Sequence, residues 1–201
     1  MLHRIFGVSI VDETNADDLR QSDKPTVYIV SHLFSYMDIT LAFDVIGQAT
    51  THDRTISGVA NVPPVAKSAI TKLFNYLTPK IKFISHNTRD GNTSELLARN
   101  LRDGADVVLW QHPYNKHQSL YHLVSEMKPR LVYIDITSHQ SAKTINEMGI
   151  LAIFKRTCCN TFKITSREID YSGILRENEH DIEGGFNRPL WDDIHRSVGL
   201  A

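Results

Sequence analysis

Residues 26–47 read TVYIVSHLFSYMDITLAFDVIG, and the change of pattern inside this stretch decides the fold class. Thr26 to Val30 is an unbroken β-branched and aromatic run of strand length, which predicts a buried strand. It stops at Ser31–His32. Downstream of Asp38, the spacing of Ile39, Leu41, Ala42, Val45 and Ile46 suits a helix closed by Gly47, with Asp38 near its positive end. A strand therefore delivers His32 and a helix start delivers Asp38.

The alternation continues outward from this stretch. Pro63–Pro64 opens a predicted helix with Val65, Ala69, Ile70, Leu73, Phe74 and Leu77 on one face, and a strand is expected over Ile81 to Ser85. Asn92 with Glu95 three residues on resembles a capping box. The helix it opens runs through Leu96, Leu97 and Leu101 to a C-cap at Gly104, ahead of the strand Val107 to Trp110. Strand, helix and strand here read as a βαβ unit. A helix over His117 to Met127 leads into the strand Leu131 to Thr137. Beyond Gly149, Ile150 to Lys155 and Phe162 to Ile169 read as a hairpin, and Trp191 to Val198 as a terminal helix. On the amino-terminal side, Asp12 to Pro25 reads as a polar surface loop. The fold class expected is α/β: one domain over residues 1–201, with a mostly parallel central sheet flanked by helices, then a C-terminal hairpin and helix.

Composition narrows the function classes. With 201 residues, 22 Lys+Arg, 23 Asp+Glu and a net charge of −1, there is no global positive field to hold nucleic acid. The longest apolar runs fall short of the roughly 18 residues of a membrane-spanning helix, and MLHRIFGV has no secretory apolar region, so a cytoplasmic protein is expected. Cys158 and Cys159, the only cysteines, are adjacent and suit neither a structural disulfide nor a thiolate metal site. Ten histidines are the unusual count. Parallel α/β sheets bind ligands outside the carboxyl ends of their strands. Four histidines follow predicted strands there: His32, His86, His112 and His139.

The segment Val27 to Phe43 resembles the first motif of the glycerolipid acyltransferases, the lysophosphatidate and glycerol-3-phosphate acyltransferase family. There a strand ends in Asn-His, four residues follow, and an Asp opens the next helix. Phe6–Gly7–Val8 looks like the family's first strand, and Phe83 to Asn87 with Arg89 like its Phe-Ile-Asp-Arg block. Asp106 to Lys116 occupies the place of the Phe-Pro-Glu-Gly-Thr-Arg block. Leu131 to Thr137 stands where the family has its Val-Pro strand, and Phe162 to Asp170 resembles its late strand. The order holds over most of the chain while single motifs depart from the pattern. Five residues, not four, separate His32 from Asp38. Ser85 and His86 replace Asp and Arg. Gln111, His112 and Pro113 replace Pro, Glu and Gly, and Asn115 with Lys116 beside it replaces the arginine.

The resemblance implies acyl transfer from acyl-CoA or an acyl carrier protein to a hydroxyl of a glycerolipid, with His32 as general base and Asp38 holding its ring. No further cofactor and no metal are called for; the histidine spacings lack a zinc pattern such as His-Glu-x-x-His. Arg89, His112, Lys116 and His86 are the candidates for binding an anionic substrate group. The expected partner is a lipid or small-molecule acceptor, with peripheral contact to a membrane surface through Pro63 to Lys82, where Lys67, Lys72, Lys80 and Lys82 accompany an apolar face. Two other readings fit the altered blocks: a non-catalytic lipid- or membrane-binding descendant of the fold, and a thioester hydrolase in which His32 activates water. Each residue also has a plainer role, with Asp38 serving as an N-cap, His32 as a satisfied loop histidine and the Val65–Leu77 face as core.

Overall fold

The computed structural model describes residues 9–15, 19, 23–30, 41–42, 45–47, 55–60, 81–85, 93–110, 127–138 and 161–172. They build seven strands and one helix: β1 (Ser9–Glu13), β2 (Thr26–Val30), β3 (Ile56–Ala60), β4 (Ile81–Ser85), α1 (Thr93–Arg102), β5 (Asp106–Trp110), β6 (Arg130–Ser138) and β7 (Thr161–Ile169). The strands form one mixed sheet in the order β1-β7-β6-β2-β5-β3-β4. Five ladders are parallel, and β6 with β7 is antiparallel. The molecule is α/β-like in these residues.

β2 is buried throughout, and apolar after Thr26, because both of its faces are covered, as expected for a central parallel strand. Tyr28 and Val30 pack with Val108, Val132, Ile134 and the helical residues Leu41, Ala42, Val45 and Ile46 on one face. Val27 and Ile29 pack with Val107, Leu109, Leu131, Tyr133 and, from α1, Leu97, Ala98 and Leu101 on the other. α1 shows the amphipathic spacing directly. Leu97, Ala98 and Leu101 are buried while Arg99 and Arg102 are exposed in the last turn, where cations oppose the negative helix end.

Gly104 ends α1 at φ 80°. Its N–H donates to the Leu101 carbonyl at 3.0 Å, and the Ala105 N–H donates to that of Asn100 at 2.9 Å. This pair of bonds is the Schellman arrangement, in which a left-handed residue satisfies two of the helix's orphan carbonyls. The chain then enters β5 through Asp106, which is fully buried. Its carboxylate Oδ1 accepts the Thr26 N–H at 2.7 Å and so ties the amino ends of β5 and β2 together.

Four expectations change. Asp12–Pro25 is not simply a surface loop, since Asp12 and Glu13 belong to β1 and Leu19 is 2% exposed in the core, its carbonyl 3.5 Å from the Tyr28 hydroxyl. The antiparallel partner of Phe162–Ile169 is β6, not the segment before it. Both edges of Phe162–Thr165 are taken, by β1 and β6, leaving no edge for the expected hairpin beside the turn; Ile150 to Lys155 itself lies outside the described residues. β4, α1 and β5 follow one another in the chain, but β3 sits between the two strands, so they are not adjacent. That β3 was missing from the sequence reading has a local cause: it is ISGVA, whose Ser57 and Gly58 break the apolar run. Ser57 is buried because it faces α1, where Asn100 Nδ2 donates to its hydroxyl at 3.2 Å.

Predicted helices over Pro63–Leu77 and Trp191–Val198, and the Phe6–Val8 strand, lie outside the described residues, as does His117–Met127 except for Met127, which is helical. Among the described residues no helix is long and apolar enough to cross a membrane.

Candidate functional site at the carboxyl edge of the sheet

The ladders fix one direction for β2 through β6, because β2 is parallel to β5 and β6, and β3 is parallel to β5 and β4. Five strands therefore end at a single edge. β7 and β1 run the other way and contribute their amino ends to it. The sheet thus has a carboxyl edge of the kind at which α/β folds bind ligands.

Register sharpens this picture. Val30, the last residue of β2, is directly paired with Trp110, the last residue of β5, and Ala60 of β3 is paired with Ser85 of β4. The chain leaves β2 and β5 at one level, two residues before His32 and His112 respectively, and it leaves β4 one residue before His86. β6 behaves differently. Val30 is paired with Ile134, and β6 runs on for four residues to Ser138. At about 3.3 Å per residue its end stands about 13 Å beyond that level. His139 follows this extension, so the histidine-bearing strand ends are not level across the sheet, as the sequence alone suggested.

His32, Asp38, His86, Arg89, His112 and Lys116 all lie outside the described residues. The structure brings together the strand ends that precede three of them and says nothing of Asp38, Arg89 or Lys116. Among the described residues no group of three or more His, Cys, Asp or Glu side chains gathers in the manner of a metal site.

The residue that sequence reading missed at this edge is Asp135. It lies on the β6 extension, one residue past the pair Val30–Ile134, and it is partly buried. Its signal in the sequence was an acidic residue interrupting the apolar run LVYIDI, which alone marks only one side of a strand as wetter than the other.

The opposite edge is structural in character. Asp106 holds Thr26 there, the Arg130 N–H donates to the Pro25 carbonyl at 3.0 Å, and the Tyr171 hydroxyl donates to the Pro129 carbonyl at 2.5 Å. Arg130 also meets Glu168 at 2.6 Å. These contacts tie strand beginnings together. No family model matches the sequence, and no curated protein matches it.

Proposed function

We propose that the chain is an acyltransferase that moves an acyl group from acyl-CoA or an acyl carrier protein to a hydroxyl of a glycerolipid of the lysophospholipid or glycerol phosphate type. The observation that carries this reading is the paired ending of β2 and β5 at the carboxyl edge, immediately before the segments that resemble the family's first and third blocks. In the reaction, His32 takes the proton of the acceptor hydroxyl as its oxygen attacks the thioester carbonyl. The tetrahedral intermediate then expels the thiolate, which receives the proton from the imidazolium, and Asp38 supports the ring while it is charged. No acyl-enzyme forms, so no nucleophilic Ser or Cys is needed.

The remaining fold elements belong to the same proposal: helices over Pro63–Leu77 and His117–Met127 complete the layers around the sheet, Trp191–Val198 forms a C-terminal helix, and residues 1–201 act as one cytoplasmic domain. Lys67, Lys72, Lys80 and Lys82 hold the Pro63–Lys82 segment against anionic lipid, and washing with salt or alkali releases the bound fraction.

The test is incubation with labelled acyl-CoA and a panel of lysophospholipid and glycerol acceptors, followed by identification of the product. Acyl transfer is expected, with kcat lowered roughly 10²–10⁴-fold in His32→Ala. Wild-type turnover in a well-folded His32→Ala protein removes His32 from the mechanism, and release of free fatty acid without transfer makes the protein a hydrolase.

A further inference from the structure

β1 stands at one end of the sheet order, and its ladder to β7 is parallel and five residues long. In such a ladder alternate residues turn their N–H and C=O groups outward. Among the described residues nothing pairs with that outer edge. An edge of this kind is a template for another strand unless charge, proline or a bulge guards it. β1 has no proline, and both of its carboxylates are turned to their own chain. Asp12 Oδ1 accepts the Thr14 N–H at 3.0 Å and the Thr14 hydroxyl at 2.6 Å, and Glu13 meets Lys163 at 2.7 Å. Beside them stands Val11, 44% exposed, the one large apolar side chain so open among the described residues.

Val11 is also the middle residue of β1. Two copies of the strand set antiparallel about a two-fold axis at Val11 pair all five residues: Val11 with Val11, Ile10 with Asp12, and Ser9 with Glu13. Each pair joins residues of the same parity, so outward-pointing backbone groups meet outward-pointing ones. No two like charges stand opposite each other. An axis at Asp12 keeps the parity but sets the two Asp12 carboxylates face to face, which is destabilising, and an axis at Ile10 pairs only three residues of the strand. The register with the most pairing is thus also the one that the charges allow.

We propose that the outer edge of β1 is a self-association surface, at which a second copy of this chain adds its own β1 antiparallel with Val11 at the axis, so that the two sheets become one. The two-fold closes the assembly at two copies. A contact of five residues a side is smaller than the roughly 20–30 residues a side of a standard stable interface, so the dimer forms reversibly and with concentration.

The experiment is sedimentation equilibrium of the full chain from about 10 μM to about 1 mM, with circular dichroism to check the fold of each variant. A reversible monomer–dimer equilibrium is expected. Val11→Glu keeps Lys163 opposite it within its own copy but sets like charge against like across the axis, and should weaken the dimer about tenfold. Ser9→Lys sets a cation opposite Glu13 of the second copy, twice by symmetry, and should tighten it about threefold to tenfold. If Val11→Glu does not fold, Ser9→Glu, which meets Glu13 of the second copy twice, takes its place and should weaken the dimer. A monomer throughout the range, species larger than a dimer, or a dimer whose strength these substitutions leave unchanged overturns the proposal.

Discussion

The centre and the flank of the sheet are built on opposite terms. β2 and β5 are covered on both faces, and β2 is buried at all five positions. β1 and the first seven residues of β7 are covered on one face only: Phe162 and Ile164 are buried, whereas Lys163 and Arg167 face water with Val11 and Glu13, and the other face is covered again only at Ile169. The difference coincides with the reversal of strand direction, since β7 is antiparallel to β6. Antiparallel pairs tolerate one solvated side, whereas parallel strands need cover on both. The centre is therefore apolar on both faces, while the flank supplies polar surface beside it.

The largest contrast should appear in truncations. Ile29→Ala, in the centre, removes a fully buried side chain facing α1 and is expected to cost about 2–5 kcal/mol. Thr165→Ala on β7 removes a partly exposed one and should stay within about 0.5 kcal/mol. Urea unfolding of both variants checks this; equal losses would mean that the flank is as tightly covered as the centre.

The same contrast explains what could be read from sequence. Double burial turns β2 and most of β5 into apolar runs, and the ends of β2, β4, β5 and β6 were legible to within a residue or so. β1 was hard to see because Val11, Asp12 and Glu13 are all exposed, and β3 because a serine and a glycine interrupt it. Pairing partners were not legible, because nothing local in Phe162–Ile169 says that its antiparallel neighbour lies some thirty residues upstream in β6 rather than directly before it. For the candidate site, strand direction brings the ends of β2, β4 and β5 to one edge, while His32, His86 and His112 that follow them lie outside the described residues. The unequal strand lengths that carry β6, with the partly buried Asp135, past the end of β2 depend on register, which composition does not encode.

Charge placement gives the next contrast. Asp106→Ala leaves the buried Thr26 N–H without its acceptor and should cost about 1–3 kcal/mol, whereas Asp106→Asn keeps an acceptor and should cost less. Breaking the half-exposed Lys163–Glu13 pair with Lys163→Met should cost at most about 1 kcal/mol. A large loss in the second case would show that the flank depends on its surface charges.

At the end of α1, Gly104→Ala puts a side chain on a residue at φ 80°, where a Cβ would meet nothing within 4 Å. The cost is therefore conformational, about 1–2 kcal/mol, with no steric part. Thermal unfolding reads it, and a neutral result would show that the helix end can relax out of its left-handed turn.

The smallest effect is expected beyond the end of β7 and appears only in alkali. Burial, and then the carboxylate of the adjacent Asp170, raise the Tyr171 phenol above its ordinary pKa. Below about pH 10 the phenol is protonated in both the folded and the unfolded chain, so it adds no pH dependence. Above that the unfolded chain ionises first, and the folded state loses stability as pH rises until the folded phenol ionises in turn. Absorbance at the phenolate band should show one tyrosine titrating late, and Tyr171→Phe should remove that component. The variant should also unfold somewhat more easily at neutral pH, because the 2.5 Å bond to the Pro129 carbonyl, which pins the residues after β7 to the start of β6, is gone. If Tyr171→Phe leaves both the late titration and the alkaline slope unchanged, the burial around this residue is not maintained in solution, and the flank is more open than the contact with Pro129 implies.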